Sequence, residues 1–119
     1  MVDVENVIYD NEQHIDNTNK NMASYSSSKA AVAHLTRNIA CDLGPKGIRV
    51  NAIAPGVVLT ERVKKLLEGS KDIEKLAATH LLGLGLPIHM ADMAVYLASD
   101  ESAITTGQVI SVDSGATIR

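Results

Sequence analysis

Residues 22–56 of this 119-residue chain read MASYSSSKAAVAHLTRNIACDLGPKGIRVNAIAPG, and their pattern predicts a helix followed by a strand. Apolar residues recur there at helical spacing, at Val32, Leu35, Ile39, Ala40 and Leu43. Ala30, Ala31 and Ala33 add helix propensity. Gly44 and Pro45 end the helix, because glycine accepts a left-handed cap conformation and proline cannot continue the hydrogen-bond ladder. We therefore expect a helix over about 22–43 and a β-rich strand over Ile48–Ile53.

The rest of the chain extends this alternation of helices and strands. A short apolar run at Val7–Tyr9 is a candidate strand, whereas segment 1–21 otherwise looks irregular and polar. Spacing and turn residues predict helices over Glu61–Glu68, Asp72–Leu82 and Met90–Ser99, and a strand over Gln108–Asp113. Strands that alternate with helices are typical of a parallel sheet, so the residues themselves predict an α/β fold.

Length and composition exclude several classes of function. The chain has the length of one compact domain, and 45% of its residues are apolar. Its formal charge of −3 argues against a dedicated nucleic-acid or anionic-membrane binder, since both present concentrated basic patches. No apolar run approaches the roughly 18 residues that a membrane span requires, and the N-terminus lacks the pattern of a signal peptide. We therefore expect a cytoplasmic protein.

The cysteine and histidine content predicts no metal centre. One cysteine, Cys41, cannot form an internal disulfide and fits a reducing compartment. It lies inside the predicted helix without basic neighbours, so we expect a buried, inert thiol. The four histidines show no metal-ligand spacing and are interpreted as helix-surface, loop or helix-end residues.

Tyr25 and Lys29 are the candidate catalytic pair. They stand four residues apart, so on a helix they share one face. An ammonium beside a phenol stabilises the phenolate and lowers the pKa of a tyrosine from its ordinary value of about 10. A tyrosine tuned in this way can exchange a proton with an alcohol oxygen. The spacing alone does not select this chemistry, because such a pair is more often part of a solvated helix face.

Further segments of the chain follow this pair in a characteristic order. In chain order they are Tyr25-Ser26-Ser27-Ser28-Lys29, Asp42-Leu43-Gly44, Ile48-Arg49-Val50-Asn51-Ala52-Ile53-Ala54-Pro55-Gly56, Leu97-Ala98-Ser99-Asp100-Glu101, Thr106-Gly107-Gln108 and Val112-Asp113-Ser114-Gly115. This set resembles the C-terminal half of the short-chain dehydrogenase/reductase family, and most of all its 7α-hydroxysteroid dehydrogenase branch. The resemblance covers about residues 16–115.

The resemblance implies an oxidoreductase that uses NAD or NADP to interconvert a secondary alcohol, such as a hydroxysteroid, and a ketone. It implies that Tyr25 is the catalytic acid/base. It also implies that Lys29 lowers the pKa of that tyrosine and holds the ribose hydroxyls of the cofactor, so both residues contact the cofactor. The further cofactor-binding residues that it implies are Pro55, Gly56, Val58 and Thr60.

The resemblance also implies an architecture and a mode of assembly. We expect a partial Rossmann-like, doubly wound parallel sheet of about three strands with flanking helices, in a single domain over 1–119. Segment 61–82 corresponds to the mobile lid that covers the substrate in the family. Family members commonly pair through the helix at 22–43, which implies a homo- or hetero-oligomer.

Two departures from the family pattern suggest an alternative. The family places a serine thirteen residues before the tyrosine, and here that position is Glu12, a carboxylate that would repel a developing oxyanion. The Gly-rich strand-to-helix turn of a dinucleotide site is not found either. We therefore expect a truncated domain that is inactive when isolated. The alternative is a non-catalytic fragment or pseudoenzyme that docks on a full-length dehydrogenase subunit.

Overall fold

The computed structural model of the chain describes the backbone of residues 4–8 and the whole of residues 23–118. Its elements are β1 (Val4–Ile8), α1 (Ala23–Leu43), β2 (Arg49–Pro55), α2 (Glu61–Leu67), α3 (Asp72–Ala77), α4 (Pro87–Ala98) and β3 (Val109–Val112). The three strands form one parallel sheet in the order β1-β2-β3. The expected α/β fold with about three parallel strands is therefore confirmed.

The central strand β2 carries the core of the molecule and is buried along its whole length. Successive side chains of a strand point to opposite faces of the sheet. On one face Ala52 and Ala54 pack against Ala33 of α1. On the other face Ile53 packs against Met90 and Leu97 of α4. Helices thus cover both faces of the sheet, which confirms the doubly wound arrangement.

Helix α1 agrees with the prediction over 22–43 to within one residue, and Met22 lies outside the described residues. Its buried residues are Ala33, Thr36 and Ala40, a narrow stripe of small side chains that lets the helix approach β2 closely. The neighbouring Cys41 projects to solvent and is exposed. The prediction of a buried thiol was wrong, because Cys41 lies about 100° around the helix from Ala40.

Within residues 23–118, three predicted element boundaries differ from those of the structure by two residues or more. β2 continues to Pro55 instead of ending at Ile53. α4 begins at Pro87 instead of Met90, because proline suits the first turn of a helix, where a backbone N–H has no intrahelical partner. α3 ends at Ala77 instead of Leu82. Beyond it, the backbone N–H groups of Leu81 and Leu82 donate to Ser114, so tertiary bonds replace helical ones.

The predicted strand at Val7–Tyr9 overlaps β1, which begins three residues earlier at Val4. The other residues of segment 1–21, among them Tyr9 and Glu12, lie outside the described residues. Within the described ranges 4–8 and 23–118, no helix has both the length and the apolar character to cross a membrane.

Candidate active site

The first turns of α1 lie toward the carboxyl end of the sheet. Helix α1 is joined by a short turn to the start of β2 at Arg49, so the C-terminal end of α1 lies at the amino end of the strands. Ala33 packs halfway along, on Ala52 and Ala54. Tyr25 precedes Ala33 by eight residues, so it lies about 12 Å farther along the helix axis, toward the carboxyl end of the strands. Open parallel sheets bind their ligands at this carboxyl edge.

Tyr25 and Lys29 meet at this end of the helix. The Nζ atom of Lys29 lies 5.3 Å from the centroid of the Tyr25 ring, within the range of a cation–π contact. Both side chains are half-buried, so each is partly shielded from water and partly accessible to a ligand. A positive charge next to a phenol favours the ionised phenol oxygen, which suits a group that gives and takes a proton.

Gly56 directly follows Pro55, the last residue of β2, and packs against the C-terminal end of β3. The Gly56 N–H donates to the Val112 carbonyl at 3.3 Å. A Cβ atom built on Gly56 would lie 2.9 Å from the Cα atom of Asp113, closer than real side chains come. Glycine is therefore required here so that two segments of this chain can approach each other.

Asp113 organises the loop that receives Gly56. Its carboxylate is buried and accepts hydrogen bonds from the Gly115 N–H at 3.0 Å and from the Thr117 N–H and hydroxyl at 2.9 and 2.7 Å. Burial by itself raises the pKa of Asp113, but these hydrogen bonds outweigh it and hold the pKa below its ordinary value. The loop beside Gly56 thus contains a carboxylate that is ionised at neutral pH.

Val58 lies in a loop whose backbone is bound on one side by Gly85. The Gly85 N–H donates to the Val57 carbonyl at 3.0 Å, and the Leu59 N–H donates to the Gly85 carbonyl at 2.8 Å. A Cβ atom on Gly85 would lie 3.3 Å from the Val57 oxygen. Gly85 thus makes a close backbone approach to the predicted cofactor-binding loop.

Thr60 is the N-cap of α2. Its Oγ1 atom accepts a hydrogen bond from the Val63 N–H at 3.2 Å, which satisfies one of the free N–H groups at the helix start. The hydroxyl hydrogen of Thr60 is not used by this bond. The predicted contact with a cofactor amide or phosphate is compatible with capping, and it stays a prediction.

His80 is a residue of this region that sequence reasoning missed. It is buried, and its Nε2 atom accepts a hydrogen bond from the Val57 N–H at 3.3 Å. No local pattern signals this contact, because residues 57 and 80 meet only through the fold. The part of the chain that the structure describes contains no group of three or more His, Cys, Asp or Glu side chains that could hold a metal ion.

A parallel sheet covered by helices on both faces is the architecture of a Rossmann-type domain. A family model described as enoyl-(acyl carrier protein) reductase matches residues 8–117. The chain belongs to the short-chain dehydrogenase/reductase family.

Comparison with individual proteins agrees with this family. The chain is 44% identical over 100 residues to the 7α-hydroxysteroid dehydrogenase of Escherichia coli, a match that covers 84% of this chain and 39% of that enzyme. A structure of a 7α-hydroxysteroid dehydrogenase complexed with NADH and 7-oxo glycochenodeoxycholic acid superposes with a TM-score of 0.78 at 39% identity, over 94% of this chain and 44% of the other. ElxO with NADP bound superposes with a TM-score of 0.83 at 28% identity, over 96% and 47%. The chain therefore spans less than half the length of these relatives.

Proposed function

We propose that this chain carries the catalytic part of an NAD- or NADP-dependent oxidoreductase that interconverts a secondary alcohol and a ketone. The observation that carries the proposal is the Lys29 ammonium 5.3 Å from the Tyr25 ring, at the carboxyl edge of the sheet. In this proposal the three strands and their helices form one domain, and segment 61–82 is its lid.

Tyr25 and Lys29 divide the proton chemistry between them. When bound, the nicotinamide cofactor supplies or accepts the hydride. The Tyr25 hydroxyl gives its proton to the ketone oxygen during reduction and takes it back from the alcohol during oxidation. The Lys29 ammonium stabilises the phenolate that remains after proton donation.

Lys29 and the residues at the carboxyl end of β2 fit the nicotinamide end of such a cofactor. Lys29 has three N–H donors, enough to bind ribose hydroxyls while it stays beside Tyr25. Pro55, Gly56 and Val58 offer a loop whose backbone is already held by Val112 and Gly85. The Thr60 hydroxyl can donate to the carboxamide or to a phosphate. Relatives with NADH and with NADP bound support either cofactor.

A hydroxysteroid is the substrate class that the comparisons favour. The support is 44% identity to a 7α-hydroxysteroid dehydrogenase and the likeness to a structure that contains a 7-oxo bile acid.

A second candidate is a non-catalytic chain that docks on a full-length dehydrogenase through the helix at 22–43. The observation in its favour is that α1 buries only a narrow stripe and leaves Leu35 54% exposed on its outer side. A homo-oligomer through the same helix is compatible with the first candidate. For both candidates we propose a cytoplasmic location, which suits the exposed free thiol of Cys41.

Titration of the chain with NADH and with NADPH, followed by cofactor fluorescence, tests the proposal. We expect saturable binding of at least one cofactor, weakened in Lys29→Met. Lys46→Met is the matched control, because Lys46 is exposed beyond the opposite end of α1. Binding of neither cofactor at millimolar concentration would contradict the first candidate and favour docking on another subunit.

A further inference from the structure

His80 is held in place independently of the loop that it contacts. It follows α3, and its backbone N–H donates to the Ala77 carbonyl at 3.0 Å. The next residue, Leu81, donates its N–H to the Ser114 carbonyl at 2.8 Å. His80 is 4% exposed. His80 is therefore anchored by α3 on one side and by the loop after β3 on the other.

The hydrogen bonds of the imidazole fit one tautomer of the ring. Nε2 accepts from the Val57 N–H at 3.3 Å, so this nitrogen carries no proton. Nδ1 lies 3.1 Å from the Leu76 carbonyl and 2.9 Å from the Thr79 hydroxyl oxygen. The Thr79 hydroxyl itself donates to Leu76 at 2.6 Å, which leaves its oxygen free to accept. The neutral ring with its proton on Nδ1 satisfies all of these contacts.

Val57 is the residue through which this bond reaches the proposed active site. It directly follows Pro55 and Gly56 and directly precedes Val58, three of the four further residues predicted to contact the cofactor. Its carbonyl is already bound by the Gly85 N–H at 3.0 Å. The Val57 N–H donates to His80 Nε2, so both backbone polar groups of Val57 are hydrogen-bonded.

We propose that His80 is a positioning residue that fixes the Pro55–Val58 loop for the cofactor by accepting the Val57 N–H at Nε2. The proposal rests on the proposed function, because it assigns the loop to cofactor binding. It adds that segment 61–82 is coupled to the Pro55–Val58 loop through one imidazole.

The first test measures the bond itself in the wild-type chain without cofactor. Nitrogen NMR of the histidine rings at about pH 8 distinguishes a protonated ring nitrogen from a bare one. We expect the neutral Nδ1–H form for His80, together with slow hydrogen exchange of the Val57 amide. The Nε2–H form, or a Val57 amide that exchanges at the rate of an open loop, would overturn the proposal.

Two substitutions at His80 test the contributions of the two ring nitrogens separately. His80→Gln carries an amide oxygen at about the reach of Nε2, whereas His80→Asn reaches only the position of Nδ1. We expect His80→Asn to speed exchange of the Val57 amide about twofold to tenfold and His80→Gln to restore much of the protection. Equal exchange rates in the two variants, with β2 still protected in both, would show that Nε2 does not hold Val57.

The third test measures whether the His80–Val57 hydrogen bond affects cofactor affinity. We expect His80→Asn to weaken NADH or NADPH binding by about the same factor and His80→Gln to restore it. Unchanged affinity in His80→Asn would overturn the positioning role. If the wild-type chain binds neither cofactor, the proposed function fails and the positioning role with it, while the NMR test still reports whether the bond exists.

Discussion

The backbone of Gly56 rests on that of Asp113, so closely that a Cβ atom on Gly56 would lie 2.9 Å from the Asp113 Cα and 3.1 Å from its carbonyl oxygen. This contact joins the ends of two neighbouring strands, because Gly56 follows β2 and Asp113 follows β3. The atoms that a side chain would meet include backbone, which cannot rotate away. The loop proposed to bind the cofactor therefore depends on a glycine for its shape.

Substitution of Gly56 by alanine is expected to destabilise the fold. The added methyl group has to push β2 and the Asp113 loop apart, at a cost of about 1–3 kcal/mol in the free energy of unfolding. Urea denaturation followed by circular dichroism measures this cost. Gly44→Ala is the matched control, since a Cβ at Gly44 meets nothing within 4 Å. A loss of stability of the same size in both variants would contradict the packing argument.

Arg49 is expected to stabilise the amino end of the sheet by capping α4. Its buried guanidinium donates to the carbonyls of Leu97, Ser99 and Thr105 at 2.7, 3.1 and 3.4 Å. Arg49→Met leaves these carbonyls without their charged donor, so we expect a loss of about 2–4 kcal/mol in the free energy of unfolding.

Urea denaturation measures the free energy of unfolding of Arg49→Met, and Arg37→Met is the matched control. Arg37 is exposed on α1, and a surface substitution of this kind changes stability by about 0.5 kcal/mol or less. Arg49→Lys should recover only part of the loss, because one ammonium cannot reproduce the planar fork of donors. An Arg49→Met variant as stable as Arg37→Met would rule out the capping role.

The Asp113 carboxylate is expected to make stability depend on pH in the acid range. Although burial raises its pKa, the bonds from Thr117 and Gly115 lower it below the ordinary value of 3.8. The folded state therefore favours the carboxylate, which adds stability above the unfolded pKa of about 3.9 and loses it as pH falls through the folded-state pKa.

Asp113→Asn removes this pH-dependent contribution. The difference in free energy of unfolding between wild type and Asp113→Asn should be largest near neutral pH and shrink below about pH 4. Thr117→Val, which removes one donor to the carboxylate, should show a smaller change of the same sign. Asp92→Asn, at an exposed site on α4, serves as the control. A difference between wild type and Asp113→Asn that stays constant down to about pH 2 would argue against the assignment.

Local sequence patterns predicted the framework of the fold and one contact of the site. The end of α1 at Leu43 was predicted, but the left-handed residue is Gly47 and not Gly44, because the chain continues through a 3-10 turn over Gly44–Lys46 before it reverses. The approach of Lys29 to Tyr25 follows from a spacing of four residues on a helix, because both residues belong to the same element. Their roles as acid/base and modulator follow only from the family resemblance, and these remain predictions.

Features that depend on neighbouring elements were not predictable in the same way. Pro55 belongs to β2 although proline lacks an N–H. Ala52 and Gly56 donate to the β3 side, so the nitrogen of Pro55 points to the β1 side, where the described pairing ends at Ile53. No ladder bond of the described sheet is lost. Similarly, the contact of His80 with Val57 joins residues 23 positions apart, beyond the range of any local pattern.

Reduction of 7-oxo glycochenodeoxycholic acid with NADH or NADPH, compared between wild type and Tyr25→Phe, tests the central claim most directly. Tyr96→Phe is the matched control, because Tyr96 lies on α4, away from the pair. Although the departures from the family pattern predict an inactive isolated chain, the proposed function predicts that any turnover by the wild type is matched by Tyr96→Phe and falls about 10²–10⁴-fold in kcat in Tyr25→Phe, with cofactor affinity retained. Wild-type turnover that Tyr25→Phe leaves unchanged would contradict the role of Tyr25 as the proton donor.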